Sequence, residues 1–66
     1  MHPMIEVERL TTSPADAPVF GVVIKYPNGD WRYRDRHWES ESAALAEIPM
    51  LQATGRLPTD DELNAS

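Results

Sequence analysis

Val19-Phe20-Gly21-Val22-Val23-Ile24-Lys25-Tyr26-Pro27-Asn28-Gly29-Asp30-Trp31-Arg32-Tyr33-Arg34-Asp35-Arg36-His37-Trp38 reads as two strands joined by a tight reversal. Its first part is rich in β-branched and aromatic residues and sets Phe20, Val22, Ile24 and Tyr26 at one parity. Pro27-Asn28-Gly29-Asp30 supplies turn chemistry, because proline fixes its own φ while Asn and Gly tolerate positive φ. The second part alternates with period two, aiming Trp31, Tyr33 and His37 to one side and Arg32, Arg34 and Arg36 to the other.

Burial then predicts the hairpin register. An odd loop of Pro27-Asn28-Gly29 would set the apolar side of the first strand among the arginines. An even loop pairs Tyr26 with Trp31 and Ile24 with Tyr33, and gathers Phe20, Val22, Ile24, Tyr26, Trp31 and Tyr33 on one face. A slip of one residue exchanges the faces of a strand, so the even loop is expected. The opposite face then carries Val19, Val23, Lys25, Arg32, Arg34, Arg36 and Trp38.

Outward from the hairpin, Met4-Ile5-Glu6-Val7-Glu8 alternates as a half-buried strand, and residues 11–18, with two prolines, form a loop. After Trp38 the period changes. Ser40 suits an N-cap, Glu41 a first helical turn, and Ala44, Leu45, Ile48 and Leu51 an apolar stripe. Pro49 removes an amide inside that stripe, which predicts a regular helix ending near Ile48, then a kink or short turn through Ala53 closed by Gly55. Thr59-Asp60-Asp61-Glu62 has capping-box spacing for a last turn that either docks through Leu57 and Leu63 or frays.

The expected architecture is α+β: a three-stranded antiparallel meander (4–9, 19–26, 31–38) with one helix packed on its aromatic face. Residues 1–55 form the domain and 56–66 an irregular C-terminal tail with at most a short helical turn. The predicted core is Ile5, Val7, Phe20, Val22, Ile24, Tyr26, Trp31, Tyr33, Ala44, Leu45 and Ile48. A homodimer through the uncovered sheet face or the first strand's edge would supplement so thin a core.

With 66 residues and no cysteine, disulfide scaffolds and cysteine-based zinc sites are excluded. No apolar run approaches a membrane span, and the N-terminus lacks a cationic signal-peptide segment, so a cytoplasmic location and no membrane partner are expected. The net charge is −5, yet Lys25, Arg32, Arg34 and Arg36 cluster, while Glu39, Glu41, Glu47, Asp60, Asp61 and Glu62 face only Arg56 beyond them. An acidic total opposes non-specific nucleic-acid binding.

No nucleophile, base and orienting group converge in the sequence, and no glycine-rich phosphate loop is present. Asp35 and His37 share a strand face, but one histidine and one carboxylate fall short of a zinc site and read as a structural contact. The expectation is therefore a non-enzymatic chain without a cofactor or metal. The arginine ridge is the place where binding chemistry concentrates, since three guanidiniums about 7 Å apart can engage carboxylates or phosphates. With Lys25 and Trp38 beside Arg32, Arg34 and Arg36, it predicts a protein-binding module, accessory or inhibitor-like, that docks a larger macromolecule. The plain alternative is a charged face neutralised by Glu6, Glu8 and helix carboxylates, with Trp38 folded under the helix as core.

Residues 19–48, a strand, a turn, Gly-Asp-Trp-Arg-Tyr-Arg and a helix opened by Ser-Glu-Ser-Ala-Ala, loosely resemble the sheet-plus-helix layout of the arm-binding domains of tyrosine recombinases. That resemblance implies nucleic acid as an alternative partner, docked on the side of Lys25, Arg32, Arg34 and Arg36. A third reading has the acidic residues from Glu39 onward imitate nucleic-acid phosphates to block a DNA- or RNA-handling protein.

Overall fold

The computed structural model describes residues 2–11, 15 and 17–65. Thr12, Ser13, Pro14 and Asp16 of the expected loop lie outside the described residues, as do Met1 and Ser66. Three strands, β1 (Met4–Arg9), β2 (Phe20–Tyr26) and β3 (Gly29–Trp38), form an antiparallel sheet in the order β1-β2-β3. Helix α1 (Glu41–Ala53) packs on one face of this sheet, and α2 (Asp60–Asn64) follows it. This is the α+β arrangement expected.

β1 meets β2 with Ile5 opposite Ile24 and Val7 opposite Val22, so both strands turn these residues toward α1. Across the hairpin Ile24 faces Trp31 and Tyr26 faces Gly29. The loop is even, as burial requires, but it is Pro27-Asn28 alone. Each pair therefore lies two residues from the expected register, a displacement that leaves the faces unchanged. Gly29 makes the shorter turn possible with φ 151°, a value L side chains rarely adopt.

Beyond Tyr33 the alternation fails. Val22 pairs with Tyr33 but Phe20 with Trp38, so five steps along β3 match two along β2. This irregularity reverses the parity of β3's end and brings Trp38 to the same face as Tyr33. Both rings are 5% exposed and belong to the core with Val22, Ile24, Ala44, Leu51, Leu57 and Leu63. Placing Trp38 among the arginines is corrected here. A tryptophan holds one of the largest apolar surfaces in the chain, and burying it outweighs the ladder bonds lost at a bulge.

The helix also departs from expectation by running through Pro49 to Ala53. Pro49 and Leu45, whose carbonyl it deprives of a donor, are both exposed, where water can hydrate that carbonyl. Continuing one more turn buries Leu51, while Leu45 is 50% exposed instead of core. Ser40 caps the start, its Oγ accepting from the Ala43 amide at 3.1 Å. At the end, the Gly55 amide donates to the Gln52 carbonyl and the Arg56 amide to that of Leu51, the Schellman arrangement. Gly55 takes φ 78° with nothing near the space a Cβ would fill. Gly55→Ala is therefore expected to cost about 1–2 kcal/mol through backbone strain alone, seen as a lower urea midpoint, whereas Gly55→Asn should cost less.

Residues 56–66 are not irregular throughout. Thr59 and Glu62 form a reciprocal capping box on α2, and Leu57 and Leu63 are 2% and 5% exposed within the single core cluster. Trp31, counted as core by its parity, is 45% exposed because it stands at the hairpin end beyond the cover of α1.

Candidate functional site

The four cations singled out in the sequence do not form one ridge. Lys25 Nζ donates to Asp30 Oδ2 at 2.8 Å across the β2–β3 ladder. Arg32 reaches over the central strand to β1, donating from Nε to Glu8 Oε1 at 2.6 Å and from Nη2 to Oε2 at 3.4 Å. Glu8 lies opposite Gly21 and Arg32 opposite Val23, so this bridge runs diagonally across the outer face of β2, while Leu10 and His37 take the space a side chain at Gly21 would fill. Val23 is fully buried beneath, although no helix covers that face. The pairing raises the pKa of Lys25, chiefly through the Asp30 hydrogen bond, and that of Arg32, chiefly through the Glu8 hydrogen bond.

Arg36 lies on the other side of the sheet. The reversed parity sends it toward α1, 3.4 Å from Glu47 Oε1 and 5.7 Å from the centre of the Trp38 ring. There the Trp38 indole nitrogen and Glu47 Oε2 are buried without a hydrogen-bond partner. The bulge also parts Asp35 from His37. Asp35 contributes to the field that raises the Arg56 pKa, behind the larger effect of the Tyr33 hydroxyl, whereas His37 packs with Leu10 over Gly21.

Arg34 remains. It is exposed and, alone among the arginines of β3, has no hydrogen bond or ion pair among the described residues. With Trp31, Tyr33, Asp35 and Arg56 it lines a shallow groove of about 490 Å³ along the outer side of β3. A second groove of about 330 Å³ opens at the hairpin end between Trp31, Tyr26, Arg56, Leu57 and Pro58. Trp31 lies between the two, its ring tilted 50° against Tyr33 at 6.3 Å.

Backbone chemistry completes this edge. β3 is the last strand of the sheet, and among the described residues no backbone hydrogen bond links it to any element except β2. An outer strand of this kind presents unpaired N–H and C=O groups to an extended segment. The regular part is Gly29 to Tyr33, since the irregularity beyond disrupts further pairing.

Of the residues the sequence marked, Arg34 belongs to this edge and Arg32 flanks it. Lys25 is committed to Asp30, Arg36 to Glu47, and Trp38 to the core. Trp31 and Arg56 were not marked. Parity made Trp31 look buried, and the approach of Arg56 depends on the Schellman turn after α1, which no local spacing announces. Compared with known protein families, curated proteins and solved structures, the chain matches none of them, and the resemblance to recombinase arm-binding domains gains no support there.

Proposed function

We propose that this chain is a non-enzymatic docking module that binds a protein partner by adding an extended segment of it to the outer edge of β3. The observation that carries this reading is the coincidence of an open strand edge, a half-exposed Trp31 and an unpaired Arg34. Main-chain hydrogen bonds to Gly29–Tyr33 would supply affinity, and side chains at alternate positions would supply selectivity. An apolar side chain of the segment would enter the groove beside Trp31. A carboxylate would pair with Arg34, whose planar guanidinium can bond it with two parallel donors.

Nucleic acid is the competing occupant of the same arginines. It would need cations aligned along a phosphate backbone, and here Lys25 and Arg32 are neutralised by Asp30 and Glu8 while Arg36 sits on the opposite face. The acidic-mimic reading is served no better, since Glu47 pairs with Arg36 and Glu62 is used in a helix cap.

The test is selection of random displayed peptides on the folded protein, with a single-stranded oligonucleotide in parallel. Enriched peptides are expected to alternate apolar and acidic residues. Trp31→Ala is expected to weaken them by at least about 30-fold, the effect of losing an anchor worth roughly 2 kcal/mol. Arg34→Ala should weaken them by about 10-fold. Because both side chains are exposed, stability should change by less than about 0.5 kcal/mol. Enrichment of no peptide, or oligonucleotide binding that falls linearly with log salt, would overturn the reading.

A further inference from the structure

The free edge of β3 has a phase as well as a length. Tyr26 and Gly29 close the hairpin as a hydrogen-bonded pair, and bonded pairs recur at every second position, at Ile24 with Trp31 and Val22 with Tyr33. The amides and carbonyls of Gly29, Trp31 and Tyr33 are therefore turned to β2, and those of Asp30 and Arg32 are turned outward. An added strand finds its partners on these two residues, over a run of about 14 Å that ends where the irregularity of β3 begins.

The two ends of this run differ in charge. At the hairpin end stands Asp30, held by Lys25 at 2.8 Å. At the far end stand Arg34, exposed and without a hydrogen bond or ion pair among the described residues, and Arg56, which lines the same groove. Arg56 approaches beside Met50 and Leu51 at the end of α1, whereas Arg34 also borders a hollow with Leu10 and His37 on the helix-free face. The two guanidiniums thus flank the end of the edge from the two faces of the sheet. Asp35 is the one acid lining the groove there, and it acts on Arg56, whose pKa it helps to raise behind the larger effect of the Tyr33 hydroxyl. Two cations against one carboxylate leave that end positive.

We propose that the segment added to β3 is the carboxyl-terminal end of a polypeptide, running parallel to β3 so that its terminal carboxylate meets Arg34 and Arg56. The inference rests on the docking reading above and names the class of segment the edge accepts. Charge sets the direction, since an antiparallel segment would bring its amino end to the two guanidiniums and its carboxyl end to Asp30. Parallel pairing is slightly weaker per residue than antiparallel, and on so short a ladder charge-assisted bonds to one carboxylate offset that deficit. A chain end also suits the stop beyond Tyr33. A segment that continued would carry amides and carbonyls with no ladder to join, whereas a terminal carboxylate requires donors alone, and a guanidinium offers two in parallel.

The probes that test this are the peptides most enriched from a random library displayed with free carboxyl ends, each synthesised with that end as carboxylate and as carboxamide. The carboxylate form is expected to bind the full chain at least about 10-fold more tightly at low salt, and Arg34→Ala should cut that ratio to within about 2-fold. A nitroxide on the amino end of the peptide should broaden the amide signals of Asn28 and Gly29. Hydrogen exchange at Asp30 and Arg32 separates this inference from the reading beneath it. With those amides protected, equal affinity of the two forms, a preference that survives Arg34→Ala, or broadening at Arg34 and Asp35 would overturn the inference and leave strand addition standing. Enrichment of no peptide, or complexes in which Asp30 and Arg32 gain no protection, would overturn both.

Discussion

Trp38→Ala is expected to leave the chain largely unfolded at room temperature. Its ring is 5% exposed, packs in the core with Ala44 and Leu51, and carries Arg36 on its face. Truncating a buried tryptophan costs about 3–5 kcal/mol, and a core of this size rarely supplies more than about 3–5 kcal/mol in total. Trp38→Phe should be far milder, because it keeps an aromatic ring in the site and removes an indole nitrogen that is buried without a partner. Urea unfolding followed by circular dichroism separates the two cases. A Trp38→Ala protein with a near-native midpoint would place Trp38 on the outer sheet face, as strict alternation along β3 reads.

Removal of residues 57–66 should be as damaging. The segment contributes Leu57 and Leu63 to the same cluster as Val22, Ile24 and Leu51, and its loss would uncover the end of the sheet toward the hairpin. A buried leucine cut back to alanine costs about 2–5 kcal/mol, so Leu57→Ala with Leu63→Ala alone should exhaust the stability available. The ¹H–¹⁵N correlation spectrum reports this directly. The chain ending at Arg56 is expected to collapse to the narrow dispersion of an unfolded polypeptide. A well-dispersed spectrum would show that residues 1–55 suffice as a domain and that the last turn is an appendage.

Fold class was legible because local signals agreed with one another. The alternation around Ile5 and Val7, the β-branched run of β2, the Pro-Asn-Gly reversal and the Ser40 cap each point to the element observed. Two kinds of information lay beyond such signals. Pairing of β3 is regular only to Tyr33, and the bulge that rescues Trp38 answers to the volume beneath α1, a tertiary demand that periodicity cannot express. The path after Gly55 was legible only as a choice between docking through Leu57 and Leu63 and fraying, and the Schellman turn that carries the chain over the sheet decides for docking.

The candidate site was legible in the same uneven way. Strand three was marked, and Arg34 with it. Its neighbours follow the plain alternative, in which carboxylates of β1 and of the helix neutralise Arg32 and Arg36, because ion pairing is a property of register. Arg32 meets Glu8 two strands away because the pairing register sets them diagonally across β2, and the spacing of arginines along one strand holds no record of that. Trp31 looked buried because strand parity assigns a face but not the extent of the helix that covers it. Its exposure follows from where α1 ends.

Amide hydrogen exchange of β3 tests the docking account most directly, followed by NMR on the free protein and on its complex with a selected peptide. Strand addition predicts that the outward-facing amides among Gly29 to Tyr33 exchange rapidly in the free protein and become protected by at least about 100-fold in the complex, as each acquires a hydrogen bond from the added strand. Protection that leaves these amides unchanged and falls on β1, or on no strand at all, would contradict it.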